Sequence, residues 1–139
     1  MMFKTNVLRY GVTYLATMLV MLLLDSLWIG FIAADMYQSG IGHLMATAPN
    51  LIAAAIFYGI FIAGLMLFAI VPATGIKSTL VLAGLYGFFT YSTYEFTNMA
   101  TLKSWPVEMS LIDIAWGVFI SAASAMVGKL VLKGFKSTP

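Results

Sequence analysis

The sequence predicts an all-α fold: an integral membrane four-helix bundle with both termini in the cytoplasm, formed as a single membrane domain over residues 1–139. Composition is the first reason, because 62% of the residues are hydrophobic and 9% are charged, whereas soluble proteins carry about 25% charged residues. The second is length, since four apolar stretches reach the roughly 20 residues that cross a bilayer. The third is the uneven distribution of lysine and arginine between the connecting segments.

The four expected spans follow one another with short connections. They lie at about residues 10–34, 51–71, 79–98 and 107–128. Pro49, Pro72 and Pro106 fall between them, as expected because a proline inside a helix costs about 3 kcal/mol. Spans two to four are rich in glycine and alanine. Small residues let membrane helices approach closely, so the sequence predicts close packing between these spans.

The basic residues give the expected direction of the chain. If the N-terminus is inside, the inside segments hold Lys4, Arg9, Lys77, Lys129, Lys133 and Lys136, and the outside segments hold Lys103 alone. Cytoplasmic loops carry an excess of lysine and arginine. The sequence therefore predicts that both termini are cytoplasmic and that the connection from about 35 to 49, with the lone His43, is an outer loop.

Polar side chains inside the spans mark a candidate pocket. Asp25, Glu95 and Asp113 all fall in the expected outer leaflet. The polar residues around them lie at helical spacing, as in Tyr91, Tyr94, Glu95 and Asn98, so each set shares one helix face. A charge exposed to hydrocarbon costs a few kcal/mol or more, so these faces are expected to point inward at one another. The candidate pocket residues are Asp25, Trp28, Tyr58, Tyr91, Tyr94, Glu95, Asn98, Asp113 and Trp116.

Several of these residues have structural interpretations that the sequence leaves open. "SLID" at 110–113 reads as a capping box with Ser110 as N-cap, which would make Asp113 a capping residue. Alternatively, "SWPVE" places Pro106 at the first helical position, and Asp113 is then too deep to cap. A carboxylate near a helix end can also reach the interface, and tryptophans are common in an outer aromatic belt with tyrosines such as Tyr37.

Four stretches together resemble the bacterial membrane family catalogued as domain of unknown function 2177. They are "LDSLWIG", "FYGIFIAG", "LYGFFTYSTYEFTNMATLKSWP" and "IDIAWG", and the resemblance extends over nearly the whole chain. It implies a small multi-pass protein of the bacterial inner membrane. The family brings no established reaction, so the function has to be argued from the residues.

Three classes of function fit the sequence. The first is a protein that binds or moves a proton, a cation or a small amphiphile, because three acids in one leaflet repel each other. The second is a membrane enzyme acting on a lipid or isoprenoid, with the acids as proton donors and acceptors. The third is a structural or accessory subunit whose polar faces only lock the bundle. For the first class, Glu95 is expected to share a pocket with Asp25 and to accept hydrogen bonds from Tyr91, Tyr94 and Asn98.

Composition limits the partners. The chain has no cysteine, which excludes disulfides and thiolate metal sites, and its net charge of +2 is too small to indicate nucleic acid. The lipid bilayer is the expected partner, with a small amphiphilic ligand and a homo-oligomer as open alternatives. No metal site is assigned, although a hard divalent cation among the carboxylates stays open. The sequence names no cofactor, and whether the protein is an enzyme also stays open.

Overall fold

The computed structural model describes residues 2–135, with side chains from residue 6 onward. This part of the chain is helical throughout apart from short connections, which confirms the all-α prediction. Its α-helices are α1 (Met2–Leu27), α2 (Ala34–Ile41), α3 (Leu51–Leu65), α4 (Ile76–Thr101) and α5 (Val107–Gly134). Five-residue π-helical turns extend α1 (Trp28–Ile32) and α3 (Met66–Ile70), and a 3₁₀ turn (Gly42–Leu44) follows α2.

Among the described residues, three helical segments are long and apolar enough to cross a membrane. They are Asn6–Ile32, Leu51–Ile70 and Val107–Gly134, which correspond to the first, second and fourth expected spans. The third expected span lies within α4, whose 26 residues are long enough but include the polar run "TYSTYEFTN". The second, third and fourth spans begin within three residues of their expected positions, and α4 and α5 continue further than expected at their C-terminal ends.

The segment after the first span differs from the prediction. The helix does not continue to residue 34 but ends in the π-turn, where the chain bends at Ala33. The expected outer loop from 35 onward instead begins with α2, an eight-residue helix. The bend turns α2 toward α5, where the backbone of Gly40 approaches Pro106 and Met109. The absence of proline and the weak helical pattern of "ADMYQSGI" hid this helix in the sequence.

Small residues hold the helices together, as the sequence predicted. A side chain at Gly87 of α4 would collide with the backbone of Gly117 on α5, so these two helices are in backbone contact. Gly128 near the end of α5 faces Thr17 of α1 and Ile70 in the same way. A stripe of small residues on α5 is buried, including Gly117, Ser121, Ser124 and Gly128. These contacts place α5 between α1 and α4.

The two ends of the bundle are packed differently. We call the end that holds α2 and the α4–α5 loop the α2 end, and the opposite end, where α1 begins and α5 finishes, the terminal end. The buried apolar core includes Met21, Ile62, Leu65, Ile70 and Ile120 and lies from the middle of the bundle toward the terminal end. In α3, none of residues 51–60 is buried, whereas seven of residues 61–70 are.

Candidate functional site

A cavity of about 750 Å³ occupies the α2 end of the bundle. All four long helices, α2 and the α4–α5 loop contribute to its lining. Seven of the nine candidate pocket residues line it: Asp25, Tyr58, Tyr91, Tyr94, Glu95, Asp113 and Trp116. The three carboxylates lie on different helices, each about 9 to 10 Å from the helix end nearest to α2. Helix face and depth along the helix thus bring these residues to one place, and their role in binding stays a prediction.

Asp25 is held by one donor from α3 and one from α5. The Tyr58 hydroxyl donates a hydrogen bond to Oδ2 of Asp25, and Nε1 of Trp116 donates to Oδ1 at 3.1 Å. Asp25 is 5% exposed, so its carboxylate is enclosed by protein. A buried carboxylate is stable only when its oxygens find such partners. Asp25 therefore joins three helices at the inner wall of the cavity.

Trp28 and Asn98 do not line the cavity but contact residues that do. The rings of Trp28 and Trp116 stack in parallel, with centroids 4.3 Å apart. The π-turn that begins at Trp28 sets this ring flat on its partner from α5. Asn98 lies one turn after Tyr94 on α4, close to its hydroxyl. Trp28 and Asn98 therefore contact lining residues without lining the cavity themselves.

Tyr37 of α2 connects the tryptophan stack to Asp113. Its hydroxyl accepts a hydrogen bond from Nε1 of Trp28 at 3.1 Å and donates one to Oδ1 of Asp113. Burial raises the pKa of the Tyr37 hydroxyl well above its usual value, and the bond to Asp113 raises it further. The hydroxyl therefore stays protonated and keeps its role as a donor at neutral pH.

Glu95 is the most deeply buried of the three acids, with 1% of its surface exposed. Its Oε2 accepts hydrogen bonds from Nε1 of Trp105 at 2.8 Å and from the hydroxyl of Ser110 at 2.5 Å. Oε1 is also buried, and among the described residues no N–H or hydroxyl donor reaches it. The carboxyl group of Asp113 is a near neighbour of the Glu95 carboxyl.

The expected donors to Glu95 were wrong. Trp105 and Ser110 occupy the positions that the sequence assigned to Tyr91, Tyr94 and Asn98. Tyr91 instead packs its ring on Gly117, and Tyr94 packs against Trp105 with centroids 6.1 Å apart. Residues on one helix face lie next to each other, but the contacts of each side chain depend on the residues of the adjacent helix. Glu95 and Asp25 line one cavity, as expected, although Asp25 has its own donors.

The capping-box interpretation of Asp113 was also wrong. Helix α5 begins at Val107 with Pro106 as its N-cap residue, one position from the alternative that placed Pro106 inside the helix. Asp113 therefore lies in the second turn, too deep to cap, and its side chain points into the bundle at 6% exposure. Ser110 donates to Glu95 and to the Pro106 carbonyl. His43, by contrast, is exposed on the 3₁₀ turn away from the cavity lining.

Three residues of the site were missed as candidates. Tyr37, Trp105 and Ser110 each donate directly to a cavity carboxylate. For Trp105 and Tyr37 the sequence leaves open a place in an aromatic belt, which is the common role near an interface. A sequence signal existed for Trp105, because it directly precedes the α5 cap and thus comes back toward the end of α4, near Glu95. No local pattern pointed to Tyr37, whose position depends on the bend at Ala33.

Carboxylates and aromatic rings set the chemical character of the cavity lining. Among the described residues, no three histidine, aspartate or glutamate side chains lie close enough to hold a metal ion. Eight aromatic side chains line the cavity together with the three carboxylates. The lining contains no lysine, arginine or histidine among these residues, so the cavity is an acidic, aromatic chamber.

Comparison with known families identifies the chain. The family described as "Predicted membrane protein (DUF2177)" matches residues 10–130. The chain belongs to the DUF2177 family. The match covers every expected span and all of the cavity lining. Neither the comparison with curated proteins nor that with solved structures gives a match. DUF2177 membership confirms the expected membrane environment, and the function is argued from the cavity of this chain.

Proposed function

We propose that this DUF2177 protein binds a positively charged small molecule in its acidic cavity and exchanges it for a proton. One observation carries the proposal: three buried carboxylates from three helices face a single cavity that no described basic side chain lines. Buried acids without a cationic partner are costly unless they are hydrogen-bonded, protonated or paired with a bound cation. The buried carboxylates are therefore expected to be stabilised when a cation binds in the cavity.

The Glu95–Asp113 pair supplies the proton. Two ionised carboxylates present only acceptors to each other, so a hydrogen bond between them requires that one is protonated. Oε1 of Glu95, which no N–H or hydroxyl of a described residue reaches, is the atom that can hold this shared proton against Asp113. A cation that enters the cavity makes the ionised form of both acids favourable and displaces the proton. The pair is expected to titrate as a unit.

The aromatic lining suits a cation with apolar substituents. Tyr58, Tyr91 and Trp116 surround the space between Asp25 and Asp113. A cation placed over the face of such a ring is attracted by about 0.5 to 2 kcal/mol, more when water is excluded. Tightly hydrated metal ions gain little from these rings, whereas alkylammonium groups lose little hydration on contacting them. The chemical class supported best is therefore an organic ammonium ion.

We also propose that all four long helices span the membrane. Helix α3 finishes at the terminal end, and α5 begins at the α2 end, beside α2 and Glu95. If α3 and α5 both cross, the chain has to return between them, and α4 provides about 39 Å of helix for that return. Its lower hydropathy follows from the polar face it gives to the cavity. A four-helix bundle in the bilayer results.

The basic residues support an orientation with both termini in the cytoplasm. Arg9, Lys77, Lys129 and Lys133 lie at the terminal end, and Lys103 lies at the α2 end. Lys4 and Lys136, which the sequence also assigned to the inside, fall outside the described side chains. By the positive-inside rule the terminal end faces the cytoplasm, and the cavity lies in the outer leaflet of the inner membrane.

Of the other two classes, the enzyme has less support. Ser110, the hydroxyl bonded to Glu95, is 1% exposed and does not line the cavity. Thr90 lines the cavity, but its hydroxyl donates to the carbonyls of Tyr86 and Gly87. Neither is placed as a nucleophile. The structural class predicts that the acids only hold the helices together through hydrogen bonds. The following experiment distinguishes that role from ligand binding.

The test is proton release on cation binding. Purified protein in nanodiscs, in weak buffer with a pH indicator, is titrated with benzyltrimethylammonium. We expect a saturable release of protons from the native protein. Glu95→Gln removes the shared proton site while keeping the shape, so release should fall to the background level. Isothermal titration of the same samples reports binding independently of protons.

The matched control is Glu108→Gln. Glu108 is an exposed carboxylate in the first turn of α5, at the same end but outside the cavity. Its replacement should leave release and binding unchanged. Equal behaviour of native protein, Glu95→Gln and Glu108→Gln, with no heat of binding in any of them, would overturn the proposal and leave the structural class.

A further inference from the structure

The cavity is partly covered by α2 and is also open on the side of the bundle. Helix α2 lies across it, with Tyr37, Gln38 and Ile41 among the lining residues, and is held to α5 through Tyr37 and Asp113. On the side, Phe57 of α3 and Tyr94 of α4 line the cavity and yet are 45% and 55% exposed. A residue that lines a cavity and is half exposed marks its rim. Ile29 and Met45 also line the cavity and are each 49% exposed, so the rim continues at the α2 end. One opening of the cavity therefore lies between α3 and α4.

The gap between α3 and α4 begins at Phe61. The Phe61 ring contacts Tyr86 and Tyr91 of α4 edge-on, with centroids 5.1 and 6.2 Å apart. Phe68 continues the contact toward the terminal end by stacking on Tyr86. Residues 51–60 stand away from α4, and none of them is buried. Helix α3 is instead tied to α1, through Tyr14 to the Gly59 carbonyl and through Tyr58 to Asp25.

This gap opens on the side of the bundle, where the bilayer lies. Residues 51–70 form a segment apolar enough to span it, and the exposed side chains of its unpacked half are apolar, such as Leu51, Ile52, Ile56 and Ile60. The polarity of the cavity lining increases from the gap inward. Ala54 and Phe57 line the cavity near the gap, and the carboxylates lie at its inner wall. An apolar entrance leading to acids is complementary to a molecule with a cationic head and an apolar tail.

We propose that the ligand is a single-chain alkylammonium amphiphile that enters from the bilayer between α3 and α4. Its ammonium group lies among Asp25, Asp113 and the surrounding rings, and its tail leaves past Ala54 and Phe57 into the lipid. The cavity, at about 750 Å³, has the size of sites for organic ligands rather than for single ions. This inference rests on the proposed function and adds the tail and the route.

The three tryptophans of the chain report on this site without labelling. Trp105 and Trp116 donate to Glu95 and Asp25, and Trp28 stacks on Trp116. A bromine atom quenches tryptophan emission only at short range. Protein in phosphatidylcholine nanodiscs is therefore titrated with dodecyltrimethylammonium brominated on its second and third carbons, next to the head. We expect saturable quenching at a low mole fraction in the bilayer. Equally brominated dodecanoate, which is anionic, should give only the gradual quenching of bulk lipid.

The route is tested with adjacent alanines. Ala54 lines the cavity near the gap, whereas Ala55 is exposed and does not line it. A phenylalanine at position 54 overfills the space for the tail, so Ala54→Phe should raise the half-saturating mole fraction about tenfold. Ala55→Phe should match the native protein. Ala55→Phe should also keep the proton release that benzyltrimethylammonium causes, and circular dichroism of both variants in nanodiscs checks that they are folded.

The outcomes separate the two proposals. If benzyltrimethylammonium releases protons but the brominated ammonium quenches no better than the brominated dodecanoate, the tailed ligand is wrong and the proposed function stands. Equal quenching in Ala54→Phe and Ala55→Phe, both saturable, would overturn the route alone. If neither ammonium compound binds the native protein, the proposed function falls and this inference with it.

Discussion

The two halves of α3 differ in almost every respect although they belong to one apolar segment. Residues 61–70 contact α1, α4 and α5, and seven of them are buried. Residues 51–60 contain no buried residue and border the cavity. Hydropathy cannot separate the halves, because a side chain that faces lipid and one that faces a core are equally apolar. What separates them is whether a partner helix offers a matching surface.

This difference divides the molecule into a packed part and a site. In the packed part, glycines on one helix lie directly against side chains or backbone of the next helix, so the helices approach closely. At the α2 end the helices are joined mainly by hydrogen bonds to carboxylates and by stacked rings. In a membrane such a bond contributes about 0.6 kcal/mol on average. The α2 end is therefore expected to contribute less stability and to tolerate more change than the terminal end.

The largest effect is expected from glycine substitutions that compare the two ends. A side chain at Gly128 would meet Thr17 and Ile70, whereas one at Gly30 would meet no atom within 4 Å. Gly128→Leu should separate α1 from α5 and destabilise the protein by about 3 kcal/mol, and Gly30→Leu should cost less than about 1 kcal/mol. Unfolding by SDS in mixed micelles, followed by circular dichroism, measures both. Equal destabilisation would contradict the division into two parts.

A smaller effect is expected when one leucine of the packed half of α3 is truncated. Leu65 is fully buried, and Leu65→Ala should cost about 2 kcal/mol because the cavity left behind loses packing contacts. Ile56 is 57% exposed, and Ile56→Ala should cost less than about 0.5 kcal/mol. The same SDS titration compares them. If Ile56→Ala lowers the free energy of unfolding as much as Leu65→Ala does, residues 51–60 are packed in the membrane. The proposed lateral opening would then be wrong.

The two tyrosines that tie α3 to α1 sharpen the comparison further. Tyr14 donates to the Gly59 carbonyl at 2.9 Å, and Tyr58 donates to Asp25. Each phenylalanine variant loses one hydrogen bond, so both should cost about 0.6 to 1.5 kcal/mol. Only Tyr58→Phe should alter benzyltrimethylammonium binding, because Asp25 then loses a donor inside the cavity. Unchanged binding in Tyr58→Phe would remove Asp25 from the proposed site.

The sequence predicted the all-helical fold class and seven of the residues that line the cavity, from rules that act within one helix. Periodicity gives the face of Glu95, and distance along the span gives its depth, so residues on four helices were placed near each other. What it could not give were contacts set by chain reversals. Trp105 reaches Glu95 because the α4–α5 loop folds back, and Tyr37 reaches Asp113 because the chain bends at Ala33. Those turns depend on three-dimensional packing rather than on local pattern.

The smallest effect concerns the loop that brings Trp105 to Glu95. Ser104 has φ 59°, the one positive φ angle among the described non-glycine residues, in a left-handed conformation that glycine adopts without strain. Ser104→Gly removes this strain but gives the unfolded chain more freedom, so the net gain should be at most about 0.5 kcal/mol. Ser104→Ala is the control, because it loses the hydroxyl and keeps the strain. The SDS midpoint should rise slightly for glycine and not for alanine, with Trp105 emission unchanged in both. A drop for glycine as well as alanine would show that the hydroxyl, not the backbone, holds the loop in place.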